Sequence, residues 1–183
     1  MPSIAPELSL RLIWPNLPQP LRLAALRGKP VVLLFGCASS AWTRQRLDDL
    51  AQLQRRHGAG LHVAAILVPR FDFERDPRSI EQLQIEQSLT YPIGLDATWT
   101  AWQQFGISAW PTVLIIDRDG CLRHQVIGDG PVSTLDALVQ SMIGGSDAMH
   151  GDDVPLSATI AMPQTPLCFP TALAASDSLL YIA

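Results

Sequence analysis

Continuous apolar runs alternate with helical stripes along most of the chain. Residues 31–35 are apolar throughout, which is typical of a strand buried on both faces of a sheet. Residues 41–56 then place leucines at helical spacing opposite a charged stripe, and Gly58 ends the predicted helix. A second apolar run covers residues 61–68. This order predicts a βαβ unit, which requires a parallel strand pair and a right-handed crossover.

The pattern that follows predicts two short helices, a β-hairpin and a closing helix. The helices are expected over residues 77–88, 98–105 and 132–143, and the strands over residues 113–116 and 122–127. The turn Asp117-Arg118-Asp119-Gly120 joins the two strands. We therefore predict an α/β fold in which helices flank both faces of a mixed central sheet.

The two ends of the chain differ from this central region. Residues 1–30 are rich in proline and leucine, and an edge strand is predicted over residues 8–13. Residues 144–154 combine small and polar residues with little apolar content, which is typical of a linker. Two short strand-like runs follow, at residues 157–162 and 179–183. We expect one domain over residues 1–143 and the beginning of another over residues 155–183.

Composition and charge narrow the class of protein. Apolar residues make up 48% and charged residues 16%, which is enough for a packed core. The net charge of −4 argues against nucleic acid as a partner. No apolar stretch is long enough to cross a membrane and the N-terminus does not resemble a signal peptide, so we expect a cytoplasmic protein without a membrane partner. The three cysteines, Cys37, Cys121 and Cys168, match neither a metal-ligand pattern nor a disulfide framework, and we expect no metal or cofactor.

Several segments together resemble a known family. RGKPVVLLF at residues 27–35 and SAWPTVLIIDRDG at residues 108–120 resemble thioredoxin-like domains of the TlpA/ResA type. Phe71-Asp72-Phe73-Glu74 and WQQFGI at residues 102–107 are similar to the branch in which this domain precedes an NHL-repeat β-propeller. In the C-terminal tail, PLCFP at residues 166–170 and SLLYIA at residues 178–183 are similar to the opening strands of a first NHL repeat. The resemblance implies a thioredoxin-like fold with an incomplete propeller over residues 155–183.

The sequence departs from this family at the positions of its redox chemistry. Family members carry CxxC at the start of the first long helix, and the matching positions here are Ser40 and Thr43. The buried acid of many thioredoxins corresponds to Leu34. Disulfide exchange needs a thiolate and a second sulfur, and hydroxyl groups supply neither. We therefore expect no confident catalytic residue, and a redox-degenerate domain that acts as a protein-interaction or scaffolding module ahead of the propeller.

Cys37 keeps an enzymatic alternative open. It lies three residues before Ser40, near the positive end of the predicted helix, where the pKa of a thiol can fall. On this alternative the protein is a thiol-disulfide oxidoreductase or a redox sensor with a single thiol. Cys37 can equally be a packed apolar residue, because free cysteine is among the most buried residue types. An exposed thiol of low pKa favours the enzyme, and a buried thiol favours the scaffold.

Trp110-Pro111-Thr112 matches the family pattern. The resemblance implies that Pro111 is cis and faces the loop before the first long helix. This arrangement presents the preceding backbone to an extended peptide, which can add as a strand. We therefore predict a binding groove formed by Trp42, Trp110 and Pro111, with a protein or peptide as the partner. The alternative is that the proline only shapes the turn into the next strand.

The apolar tail suggests self-association. Residues 155–183 contain many apolar side chains, and burial contributes roughly 25 cal/mol per Å² of apolar surface. Without further propeller blades, these strands either add to an exposed edge of the central sheet or pair with the tail of another copy. We favour the second arrangement, because the linker permits exchange between chains.

Overall fold

A computed structural model describes residues 3–144, 173–175 and 180–182. The strands are β1 (Ser3–Ile4), β2 (Val31–Gly36), β3 (His62–Leu67), β4 (Ile93–Leu95), β5 (Thr112–Ile116), β6 (Cys121–Ile127), β7 (Leu173–Ala175) and β8 (Leu180–Ile182). The α-helices are α1 (Ala41–His57), α2 (Arg78–Gln87), α3 (Thr100–Gln104) and α4 (Val132–Ile143). Short 3₁₀ turns lie at Leu23–Leu26, Gly58–Gly60 and Asp72–Arg75.

The strands form a six-stranded mixed sheet in the order β1-β6-β5-β2-β3-β4. Strands β2, β3 and β4 are parallel to one another, and β5 and β6 are antiparallel to their neighbours. The predicted βαβ unit and the predicted hairpin are therefore confirmed. Strands β7 and β8 pair with each other in a separate two-stranded sheet.

Alternating side chains of the strands divide the core into two layers. Val32 and Leu34 of β2 belong to one cluster, which includes buried residues of α1, α2 and α4. Leu33 and Phe35 belong to the other, which includes Ala101 of α3 and residues of the N-terminal segment. Since side chains alternate along a strand, one apolar strand supplies both layers. Helices on both faces of the sheet were predicted and are confirmed.

The edge strand predicted over residues 8–13 is wrong. Leu8, Leu12 and Trp14 are buried against the sheet instead, and only Ile13 forms an isolated antiparallel bridge, to Leu95. This segment lies along β4, which was not predicted because it has three residues with a glycine at its centre. A Cβ at Gly94 would lie 3.1 Å from the Trp14 ring, so the close approach of this ring depends on the glycine.

The C-terminal predictions fall largely beyond the described residues. Helix α4 ends at Ile143, as predicted. The linker beyond residue 144, the strand predicted over residues 157–162 and Cys168 all lie outside the described residues. Strand β8 falls within the predicted run at residues 179–183. The incomplete propeller and the self-association of the tail stay predictions.

Several loops meet at one edge of the sheet. Gly36 ends β2 opposite Leu67 of β3, and Leu67 in turn pairs with Leu95 at the end of β4. Thr112 begins β5 opposite Phe35. The carboxyl ends of three parallel strands and the start of an antiparallel strand therefore lie together, which is where open α/β sheets generally bind ligands.

Candidate binding site

The residues predicted to replace the CxxC cysteines lie at the start of α1, Ser40 as its N-cap and Thr43 in its first turn. The Ser40 hydroxyl caps α1 by accepting a hydrogen bond from the backbone N–H of Thr43 at 3.4 Å. Thr43 is fully buried, and its hydroxyl oxygen accepts a hydrogen bond from the backbone N–H of Cys37 at 3.2 Å. A Cβ at Gly36 would lie 2.3 Å from the Thr43 methyl group. Both hydroxyls therefore hold the loop, and the glycine makes room for one of them.

Cys37 is buried in this loop, with 1% of its surface exposed. Its thiol donates to the Glu74 carboxylate, with an Sγ to Oε1 distance of 3.3 Å, and lies 3.2 Å from the Ser39 hydroxyl. Burial raises the pKa of the Cys37 thiol, and the negative charge of Glu74 adds to this effect, although hydrogen bonds from Ser39 oppose it. Of the two interpretations of Cys37, the packed one agrees with this burial and with the raised pKa.

Glu74 was given no role by sequence reasoning, yet it organises this part of the molecule. Its carboxylate is 2% exposed and accepts hydrogen bonds from the backbone N–H groups of Ser39, Arg70 and Phe71 at 2.8, 2.6 and 2.9 Å. Burial by itself raises the pKa of Glu74, but these N–H groups and the Cys37 thiol outweigh it and hold the pKa below its ordinary value. Glu74 thus fastens the 3₁₀ turn after β3 to the loop after β2.

The Trp110–Pro111 peptide bond is cis, as the resemblance implied. Pro111 is buried, and Trp110 is half-buried with its ring centroid 5.6 Å from that of Trp99 and 5.2 Å from that of Trp102. The Thr112 hydroxyl donates to the Ala109 carbonyl at 2.8 Å and closes the turn. Pro111 therefore shapes the turn, while Trp110 remains partly exposed.

Three large aromatic side chains are exposed at the same edge. Trp42 and Phe71 are each 46% exposed, and Phe73 is 67% exposed. The Phe71 and Phe73 rings stack with centroids 5.7 Å apart and planes 11° from parallel. We call Trp42, Phe71, Phe73 and Trp110 the aromatic edge. Trp42 and Trp110 were predicted as binding residues, whereas Phe71 and Phe73 were missed because alternating aromatic and acidic residues in a turn give no periodic signal.

Two further polar features involve α1 and α4. Arg46 is buried, forms an ion pair with Asp49 at 3.0 Å and donates to the carbonyls of Gly128 and Gly130, which ties α1 to the loop before α4. A cavity of about 630 Å³ is lined by residues of α1 and α4, and Asp136 is one of them. Within the part of the chain that the structure describes, no group of three or more His, Cys, Asp or Glu side chains could hold a metal ion. None of the described helices has the length and apolarity to span a membrane.

Comparison with protein families gives one match over most of the fold. A model of the AhpC/TSA family matches residues 3–125. The chain belongs to the AhpC/TSA family. The matched region of this AhpC/TSA chain runs from β1 into β6, and it contains the loop after β2, Glu74 and the Trp110–Pro111 bond.

Curated relatives of this AhpC/TSA chain include long and short proteins. DipZ from Mycobacterium tuberculosis is 28% identical over 162 residues, which is 87% of this chain and 23% of DipZ. NHL repeat-containing protein 2 from Gallus gallus is 30% identical over 128 residues, 68% of this chain and 18% of that protein. The thiol-disulfide oxidoreductase YkuV from Bacillus subtilis is 23% identical over 142 residues, 78% of this chain and 95% of YkuV. The chain thus spans less than a quarter of the first two relatives.

Solved structures show the same architecture. A thioredoxin-like protein solved in solution in its oxidised form has a TM-score of 0.70 and 24% identity, and the match covers 78% of this chain and 96% of that protein. The fold is therefore thioredoxin-like, with a mixed sheet and flanking helices, as predicted.

Proposed function

We propose that this AhpC/TSA domain binds an extended segment of a partner protein at the aromatic edge and does not carry out thiol-disulfide exchange. One observation carries the proposal. Within the described ranges, each of the exposed aromatic side chains follows β2 or β3, at the end of the sheet where β5 begins after the cis Trp110–Pro111 bond. Exposed apolar patches mark interaction sites, and aromatic residues are enriched in the cores of protein interfaces.

The chemistry of the loop after β2 supports the proposed absence of thiol-disulfide exchange. On the proposed alignment, Ser40 and Thr43 stand where family members carry CxxC, and both hydroxyls are occupied in local hydrogen bonds. Cys37 offers a buried thiol of raised pKa, and the thiolate is the reactive form. A partner segment lying across the aromatic edge would therefore meet no reactive sulfur of this loop.

The place of the module in a longer protein is part of the proposal. Similarity to NHL repeat-containing protein 2 supports an NHL propeller after residues 144–154, beginning within residues 155–183. In such an arrangement the domain serves as an interaction or scaffolding module ahead of the propeller. Strands β7 and β8 would then belong to the opening of the first blade.

Insulin reduction by dithiothreitol tests the absence of exchange. We expect the protein to leave the rate at the dithiothreitol background, because neither Ser40 nor Thr43 can form a disulfide. The double variant Ser40→Cys with Thr43→Cys should raise the rate clearly above background, since the helix terminus and the cis proline are already in place. Ser40→Cys alone is the matched control and lacks the resolving sulfur. Turnover by the parent protein that disappears in Cys37→Ser would overturn the proposal.

Binding of an unfolded protein without thiols tests the contact surface. The probe is fluorescently labelled, reduced and carboxymethylated α-lactalbumin, followed by fluorescence anisotropy. Trp42→Ala and Phe73→Ser should each weaken binding about fivefold or more, as expected for aromatic residues central to an interface. Ile4→Ala is the matched control, because Ile4 is also 67% exposed but pairs with Cys121 at the opposite end of β6. Equal affinities for all four proteins would contradict the proposal.

The single-thiol enzyme is the alternative function, and similarity to YkuV is the observation in its favour. It requires Cys37 to become accessible in the folded protein. In a Cys121→Ser and Cys168→Ser background, we expect Ellman's reagent to label Cys37 only as fast as the protein unfolds. Rapid labelling of the native protein would favour the enzyme.

A further inference from the structure

Arg70 stands out among the charged residues beside the aromatic edge. Its guanidinium carbon lies 5.3 Å from the centroid of the exposed Phe71 ring. Two nearby arginines have acidic partners: Arg44 pairs with Glu86 at 3.2 Å and Arg75 with Asp72 at 3.4 Å. In the described residues, no carboxylate lies within ion-pair distance of the Arg70 guanidinium. It is thus a positive charge at an exposed aromatic surface that lacks a counter-charge.

The backbone beneath Arg70 and Phe71 is held on two sides. Their N–H groups both donate to the buried Glu74 carboxylate, which also binds the Ser39 N–H of the loop after β2. On the other side, the Arg75 guanidinium donates to the Ala97 carbonyl at 2.7 Å, after β4. A turn fixed in this way presents its side chains with little further ordering, which reduces the entropic cost of binding.

We propose that Arg70, Phe71 and Phe73 form a subsite that selects partner segments in which an acidic residue stands next to an apolar one. The inference rests on the proposed function of the aromatic edge. A guanidinium binds a carboxylate through two parallel charge-assisted hydrogen bonds, and the stacked rings offer apolar surface to the adjoining side chain. A basic residue at the same place would be repelled by Arg70. Without Arg70, the aromatic edge would favour any apolar segment. The subsite adds a preference for segments that also contain an acidic residue.

Four labelled nonapeptides test the selection. They are identical except for the central pair, which is Asp-Leu, Asn-Leu, Lys-Leu or Asp-Ser, and their dissociation constants are measured by anisotropy at low and high salt. The parent protein should bind the Asp-Leu peptide about fivefold more tightly than the Asn-Leu peptide, and the Lys-Leu peptide more weakly still. The Asp-Ser peptide should also bind more weakly than Asp-Leu, and the preference for Asp should shrink at high salt because the charges are exposed.

Three variants test whether Arg70 is responsible for the preference for Asp. Arg70→Gln should remove the preference for Asp over Asn, and Arg70→Lys should keep part of it, since lysine retains the charge without the planar fork. Arg55→Gln is the matched control: it removes the same charge from the last turn of α1, at the far end of the helix from the aromatic edge. Arg55→Gln should leave the preference unchanged.

The outcomes separate this inference from the proposed function. Suppose that all four peptides bind with equal affinity and that Trp42→Ala weakens each of them. This result would contradict the subsite and would still support binding at the aromatic edge. Binding of carboxymethylated α-lactalbumin without binding of any nonapeptide would also overturn the subsite alone. A preference for Asp that survives Arg70→Gln would assign the selection to other residues. Failure of both probes to bind would overturn the aromatic edge together with its subsite.

Discussion

The residues at the aromatic edge form two layers. Those in the inner layer are buried and hydrogen-bonded, whereas those in the outer layer are aromatic and exposed. The inner layer consists of Cys37, Thr43 and Glu74, which are at most 2% exposed and bond to one another or to the loop backbone. The outer layer consists of Trp42, Phe71 and Phe73, which are 46% to 67% exposed. The inner layer fixes the shape of two loops, whereas the outer layer presents apolar surface.

This difference separates two properties of one site. Buried hydrogen bonds stabilise the loops, whereas on the proposed function contact with a partner depends on exposed side chains that those bonds only position. On the proposed function, sulfur chemistry can be absent while the contact surface is retained, because different layers provide them. Substitutions in the inner layer should therefore change stability, and substitutions in the outer layer should change binding.

Glu74→Ala should give the largest effect on stability. Removing the carboxylate leaves three backbone N–H groups and a thiol without their acceptor, and each buried group without a partner costs about 1–3 kcal/mol. We expect the free energy of unfolding to fall by roughly 3 kcal/mol or more, measured by urea denaturation. Glu81→Ala on the exposed face of α2 is the control and should have little effect. A loss below about 1 kcal/mol would show that the inner layer does not depend on this carboxylate.

The pH dependence of stability should be a smaller effect with a definite sign. Because the folded pKa of Glu74 lies below its ordinary value of 4.5, its contribution is complete above that value and is lost as the pH falls through the folded pKa. Glu7 behaves alike, because the N–H groups of Ala24, Leu8 and Leu23 outweigh burial and lower its pKa. Urea midpoints between pH 7 and pH 3 should therefore fall less steeply for Glu74→Gln than for the parent. Parallel curves would contradict the assignment to Glu74.

Substitutions in the outer layer should have the smallest effect on stability. Phe73→Ser and Trp42→Ala remove side chains that are already 67% and 46% exposed, so we expect changes within about 0.5 kcal/mol in urea denaturation. The same variants should show the loss of binding to the unfolded-protein probe. Destabilisation as large as that of Glu74→Ala would remove the distinction between the two layers.

Local sequence patterns were sufficient for the main elements of the fold. The apolar run of β2, the helical stripe of α1 ending before Gly58 and the boundaries of α4 all follow from spacing and capping chemistry. These elements are predictable because their signal lies within one turn or one strand. The same reasoning failed for β4 and for the segment before Trp14, where a three-residue strand pairs with a single residue from far along the chain.

The site was predictable only in part, again because some of its contacts join residues that are far apart along the chain. Sequence pointed to Trp42, Trp110 and the cis proline through a family resemblance, and to Ser40 as a helix cap through its position. It could not show that Glu74 accepts a hydrogen bond from Cys37, because these residues are 37 positions apart and no periodicity links them. Nor could it decide whether that thiol would be exposed. The sequence by itself determined β2, β3, the β5–β6 hairpin and the helices, because their signals are local. Only the packing of two loops at one end of the sheet decided which side chains are buried with partners and which remain at the surface.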